Sequence, residues 1–369
     1  MKIFNKSEWK KVKLGDICEV ITGNTPSKKI KEYWDKDEVP FITPPELKYE
    51  GINYITPSIF VSKIGAKQGR IISKNSICVC CIGSLGKLGI LKDDAITNQQ
   101  INSLILKDKN IDLLYLYFYL KTTKNNLEAM ASSTTVKIIN KSSFEKIEIK
   151  LPDIRIQKKI SKKLEILENN INFRKKQLTY LKELNKSLFT RMFGDPLTND
   201  RIEWKFSKIK NIGKIISGST PNTNTPELWN GDYLWITPAE LKDDSFIVNS
   251  TERKLTYLGI KNSSLIEMPI GTVLLSSRAP IGKVAIVGKN MFCNQGFKNI
   301  IPNEEINSIY LYYILKEKKE YLNFLGRGAT FKELSKEIVE NISLKIPPIE
   351  LQNKFAERVE KIEKLKFEA

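Results

Sequence analysis

Two stretches of this chain, 195 residues apart, carry nearly the same text, and that duplication limits the fold more than any other feature. Trp9 to Pro26 reads WKKVKLGDICEVITGNTP, and Trp204 to Pro221 reads WKFSKIKNIGKIISGSTP. Eight of the eighteen aligned positions are identical, where composition alone gives roughly one. A period this long lies far beyond the roughly 20 to 50 residues of a solenoid repeat, so the chain is one domain written twice.

The correspondence continues with one-residue slips. EYWD from Glu32 faces ELWN from Glu227, and ITPPELK from Ile42 faces ITPAELK from Ile236. GKLGI from Gly86 faces GKVAI from Gly282, Asn98-Gln99 faces Asn294-Gln295, and YLYFYL from Tyr115 faces YLYYIL from Tyr310. Each copy closes on a proline-marked helix start, LPDIRIQKKI from Leu151 and IPPIELQNKF from Ile346.

Between these landmarks, short β-branched runs alternate with turn clusters such as Gly23-Asn24-Thr25-Pro26, which predicts a mixed α and β domain with a helix near Ile111 to Leu120. From Asp153 to Phe193, up to Gly194, the chain has neither glycine nor proline, and one helix of about 40 residues is predicted. Its apolar positions Ile160, Leu164, Leu167, Ile171, Leu178, Leu181, Leu188 and Met192 recur by fours and threes, broken only by Arg174 and Asn185. That is a coiled-coil seam, and Asn185 is the type of residue that fixes register. The second copy of the helix sets Phe355, Val359 and Ile362 at the positions of Ile160, Leu164 and Leu167, and has about half the length of the first. The fold class expected is α+β: two homologous globular domains (1–150 and 195–345) and two helical segments (151–194 and 346–369) forming an antiparallel coiled coil about a pseudo-twofold axis.

A net charge of +18 attracts polyanions, and nucleic acid is the natural partner, with lysine drift in a lysine-rich proteome as the alternative; the duplication shifts the balance toward double-stranded DNA. The hydrophobic content of 41% is that of a soluble protein, no apolar run is long enough to span a bilayer, and the N-terminus lacks a secretory signal, so a cytoplasmic location without membrane contact is expected. Cys18, Cys78, Cys80, Cys81 and Cys293 make no CxxC pair, and the chain contains no histidine; a zinc site is not expected, and SICVCCIG reads as a core strand. The missing histidine also removes the usual general base. GSLGKL at Gly83 is too short for a phosphate loop, and TPPE at Thr43 is not the Asn/Asp-Pro-Pro-Tyr segment of amino-methyltransferases. Asp200, Glu203 and Lys205 mimic a nuclease carboxylate set, but such triplets are frequent in a chain that is 28% charged. No catalytic residue, metal or cofactor is expected.

A helix of about 40 residues spans roughly 60 Å, or some 17 to 18 base pairs of B-DNA, the scale of two separated half-sites. With these segments in this order, the chain resembles the specificity (S, or HsdS) subunit of type I restriction-modification systems. The resemblance rests on the doubled TGNTP and SGSTP, the doubled ITPxELK, the NQ pair after a GK turn, the LP.I..Q helix starts, and SLFTRMFGDP between the halves. It implies a non-catalytic adaptor with one target-recognition domain per half of a bipartite DNA site. It also implies docking of two methyltransferase (M) subunits, and of restriction (R) subunits through them. The alternative is a coiled-coil scaffold or regulatory protein that binds DNA without sequence preference.

The two copies control for each other. Positions identical in both serve the scaffold or phosphate, because unlike half-sites need unlike base contacts. Lys48 and Lys242, Lys87 and Lys283, and Lys137 and Lys332 are thus candidate phosphate contacts. The matched loops Ile82-Gly83-Ser84 and Arg278-Ala279-Pro280 differ, as do Ser132-Ser133-Thr134 and Arg327-Gly328-Ala329. Arg278 and Arg327 are candidate guanine readers, and Ser84, Ser133 and Thr134 candidate contacts of broader preference. Asn98-Gln99 and Asn294-Gln295, present in both copies, point to a structural role rather than to adenine readout.

Overall fold

The computed structural model describes residues 9–131, 136–194, 204–263, 265–278, 280–326 and 333–368. The chain divides into two compact units, Met1–Lys175 and Lys176–Ala369.

Both units have the same wiring. In the first, an antiparallel sheet runs in the spatial order Cys18–Thr22, Ile101–Leu106, Ile77–Cys80, Leu88–Ile90. The second repeats it as Gly213–Ile216, Asn299–Pro302, Val273–Leu275, Val284–Val287, and adds Ile247–Val248 in parallel at the edge. At that edge the described residues of the first unit form isolated bridges instead, Lys48 to Leu88 antiparallel and Tyr54 to Ile90 parallel. A three-stranded sheet in each unit centres on Val39–Ile42 or Trp229–Ile236. A two-stranded ribbon joins the opening strand to the one before the closing helix, Lys10–Lys13 with Glu148–Leu151 and Lys205–Lys208 with Ser343–Ile346.

The cysteine-rich segment forms the strand Ile77–Cys80, buried along its whole length. All five thiols are free and buried. An apolar environment disfavours the thiolate, and burial pushes Cys78 up to about 12.

The predicted long helix is continuous from Ile154 to Phe193. Asp153 starts it, its carboxylate accepting from Arg155 N at 2.9 Å, and Gly194, at φ +80°, ends it. Gln157, in its first turn, anchors it to the first unit. Its side chain accepts from Asp112 N (3.0 Å) and donates to Pro152 O (2.9 Å) and Asn110 O (3.2 Å). The distal helix Ile349–Glu368 repeats the device: Gln352 accepts from Asn307 N (2.9 Å) and donates to Pro347 O (2.8 Å) and Glu305 O (3.1 Å). Two tyrosines repeat as well, Tyr115 donating to Lys150 O (2.5 Å) and Tyr310 to Lys345 O (2.7 Å). These polar groups are what the LP.I..Q motif builds: a side-chain amide that satisfies main-chain groups left over where a strand turns into a helix.

Within the second unit, the last turns of the long helix lie antiparallel to the distal helix. Phe189 and Phe193 pack on Phe355, Met192 meets Arg358, and Asn185 Nδ2 donates to Glu363 Oε1 at 2.7 Å. Asn185 is 1% exposed, so the polar break in the seam is a buried amide bonded to a partly exposed carboxylate. The predicted seam is less uniform than its spacing. Leu188 and Met192 pack against the core of the second unit and Leu164 against that of the first, whereas Leu167 and Ile171 are 56% and 49% exposed.

Candidate nucleic-acid interface

The doubled motifs form doubled hydrogen bonds. In the TGNTP segment Thr25 Oγ1 donates to Gln99 Oε1 at 2.7 Å, and in SGSTP Thr220 Oγ1 donates to Gln295 Oε1 at 2.7 Å. The glycine two residues earlier lets this segment lie flat on the strand before the NQ pair. A Cβ on Gly23 would stand 2.2 Å from Thr97 O, and one on Gly218 1.7 Å from Cys293 O. Asn98 and Asn294 each cap a tight turn, accepting from Gln100 N (3.1 Å) and Gly296 N (3.0 Å). These contacts favour the structural reading of the NQ pairs.

ITPxELK likewise builds a capped turn twice. Glu46 Oε2 accepts from Thr43 N at 2.9 Å, and Glu240 Oε1 from Thr237 N at 2.9 Å. The turn is a capping box with proline where no amide hydrogen is needed. It delivers the following lysine, Lys48 or Lys242, to an exposed position.

The other candidate contacts lie around these turns. Lys87, half-buried, directs Nζ over the Tyr49 ring, 5.6 Å from its centre. Its counterpart Lys283 is spent internally: Nζ donates to Pro238 O (3.2 Å) and to Leu241 O. Lys137 is exposed, with Nζ 3.8 Å from Glu128, and its backbone carbonyl accepts from Gly83 N at 3.0 Å, bringing it next to Ser84. Arg278 holds a guanidinium nitrogen 4.0 Å from Glu333, whose other oxygen lies 3.3 Å from Lys298 Nζ. At the matching place in the first unit stand Ile82 and Ile138, paired through their backbones in an isolated antiparallel bridge. Ser133, Thr134, Arg327 and Lys332 lie outside the described residues, as do Asp200 and Glu203 of the carboxylate triplet.

Three features escaped the reading of the sequence. Arg253 stacks on Trp229 with its guanidinium 3.7 Å from the ring centre, and 5.1 Å from that of Trp235. Lys124 Nζ sits 4.2 Å from the Tyr49 ring centre. Glu333 ties together two cations, Arg278 and Lys298, from an earlier part of the chain. Aligning the copies locates Tyr49 opposite Asp243, the one signal that could have drawn attention to this surface. Among the described residues no group of three or more His, Cys, Asp or Glu is placed to hold a metal ion, and no helix is long and apolar enough to cross a membrane.

Comparison with known proteins agrees with this duplicated architecture. The family model for the type I restriction modification DNA specificity domain matches residues 6–183 and again 201–369. The chain belongs to this family. Two specificity subunits from Methanocaldococcus jannaschii are among its relatives. That of the type I restriction enzyme MjaIX is 44% identical over 157 residues, 42% of this chain and 36% of the relative. That of MjaVIII is 25% identical over 97% of this chain and 87% of the relative. In fold, the chain is similar to the S subunit of the M. genitalium type I system, with a TM-score of 0.68 at 16% identity, covering 100% of this chain and 92% of that one. Family membership favours the DNA-specificity class, without catalytic chemistry of its own, over a structural coiled-coil protein.

Proposed function

We propose that this chain is the reading component of a type I restriction-modification complex. Each recognition domain, 1–150 and 195–345, contacts one half of a split duplex site, and the helical segments 151–194 and 346–369 set the interval between the halves. Two M subunits, and R subunits through them, supply methylation and cleavage, and the assembly works in the cytoplasm. What carries this reading is a scaffold kept bond for bond in both copies beneath loops that differ in chemistry. The clips from Thr25 to Gln99 and from Thr220 to Gln295 are the same, while the neighbouring surface carries Ile82 and Ile138 in one copy and Arg278 and Glu333 in the other.

Lys48, Lys242, Lys87 and Lys137 are proposed to touch phosphate, as is Lys332; Lys283 is the weakest of the set because its ammonium is already satisfied. Arg278, steadied by Glu333, and Arg327 are proposed to read guanine, and Ser84, Ser133 and Thr134 to read in the first domain. Selecting bound duplexes from a random pool tests this. Arg278→Ala is expected to relax the preference at one or two base pairs in one half of the selected site, at about 1 to 3 kcal/mol. An unchanged site, or equal weakening on every sequence, would reassign Arg278 to phosphate or surface.

A further inference from the structure

The two copies treat the same group of cations in opposite ways. In the first, Tyr49 follows Lys48 and is 40% exposed, with Lys124 Nζ 4.2 Å and Lys87 Nζ 5.6 Å from its ring centre. Among the described residues, neither ammonium has a carboxylate within ion-pair distance, and the nearby Glu50 is turned to Lys175 at 3.1 Å. In the second, the position of Tyr49 is held by Asp243, which accepts from Lys319 Nζ, the counterpart of Lys124, at 2.9 Å. That bond keeps the Asp243 carboxyl below the usual carboxylate range, so it is ionised at neutral pH. Lys283, the counterpart of Lys87, is taken up by two main-chain carbonyls.

Backbone placement does not account for the difference. The Lys124 side chain crosses the GK turn in the first copy as Lys319 does in the second, with Cγ 3.4 Å from a Cβ built on Gly86 and 3.1 Å from one on Gly282. Both glycines have positive φ, +77° and +86°. Only the partner of the ammonium has changed. An aromatic face holds a cation weakly and leaves its outer side open to a second, anionic partner, whereas a carboxylate at 2.9 Å neutralises it.

We infer that the surface formed by Tyr49, Lys87 and Lys124 is a phosphate-binding site for duplex DNA, and that its counterpart at Asp243, Lys283 and Lys319 is self-neutralised. At this matched position the two domains therefore hold DNA unequally, the first providing the larger electrostatic share. This rests on the reading of both domains as DNA-binding. Tyr49 acts as the platform that orders two lysine side chains without discharging them.

The test is the salt dependence of affinity of the full chain for mixed-sequence duplex DNA, followed by fluorescence anisotropy between about 50 and about 200 mM salt. K87Q/K124Q is expected to lower the steepness of log K against log salt by about 1.8, since each neutralised phosphate contributes about 0.9. Over that fourfold salt range this removes about a twelvefold change in affinity. Y49D, which brings a carboxylate to Lys124, is expected to lower it by about 0.9, and D243N, which frees Lys319, to raise it by about 0.9. K319Q, the matched control in the second domain, leaves the steepness as in the parent. An unchanged slope in K87Q/K124Q with an unaltered melting curve, or an equal fall in K319Q, overturns the assignment. A parent chain whose affinity ignores salt overturns the DNA reading itself.

Discussion

The paired glutamines give the sharpest test of the claim that one fold was built twice. Gln352 is 0% exposed and Gln157 1%, and each side chain makes three hydrogen bonds to the main chain at the base of its helix. Replacing either with leucine keeps the volume but leaves one amide hydrogen and two carbonyls without that partner. Three hydrogen bonds at about 1 kcal/mol each give roughly 3 kcal/mol, and desolvated groups left unsatisfied push the loss upward by about 1 to 3 kcal/mol apiece where water cannot enter. For units of this size, about 3 kcal/mol lowers the melting temperature by roughly 6 to 12 °C. Differential scanning calorimetry with denaturant titration measures both. Because the geometry is repeated, Q157L and Q352L should cost similar amounts, each acting on the unit that contains it. A loss below about 1 kcal/mol in either, or a large one in only one, refutes the idea that these glutamines close equivalent joints.

Other perturbations follow from particular contacts. Phe189→Ala, which removes a ring buried to 2% and packed against Phe193, Tyr310, Tyr313 and Phe355, should destabilise the second unit by about 3 to 5 kcal/mol in urea unfolding; less than about 1 kcal/mol would mean that the helix end is not part of that core. The thiols should resist maleimide labelling in the native chain at pH 8 and react once it is unfolded; rapid native labelling of Cys78 would contradict its burial. Since burial pushes Cys78, Cys81 and Cys293 up to about 12, the folded chain keeps protons there that the unfolded chain releases. Stability from these groups is intact below the ordinary thiol range and falls as pH rises from about 9 towards 12, which an alkaline series of melting curves would detect.

Long-range symmetry and local breakers were readable in the sequence. The helix Ile154–Phe193 follows from 40 residues without glycine or proline, and the doubled elements follow from the doubled text. The fate of individual polar groups was not readable. Lys87 and Lys283 are the same residue in the same turn, yet one faces a ring and the other two carbonyls. That choice depends on Tyr49 against Asp243, about 40 residues upstream of each lysine, and on how the Pro238 to Leu241 turn presents its carbonyls. The seam was legible by period but not by extent. Spacing states which residues share a helix face, whereas burial depends on what lies across from them, and so Leu188 is covered while Leu167 is open.

Mapping methylated bases across the genome of a host that expresses this chain with its methyltransferase partner probes the central claim most directly. The account predicts one motif in two short specified parts separated by an unspecified gap of constant length. In that motif, Arg278→Ala alters one part and leaves the gap and the other part unchanged. A continuous motif, or methylation that does not depend on the presence of this chain, would contradict it.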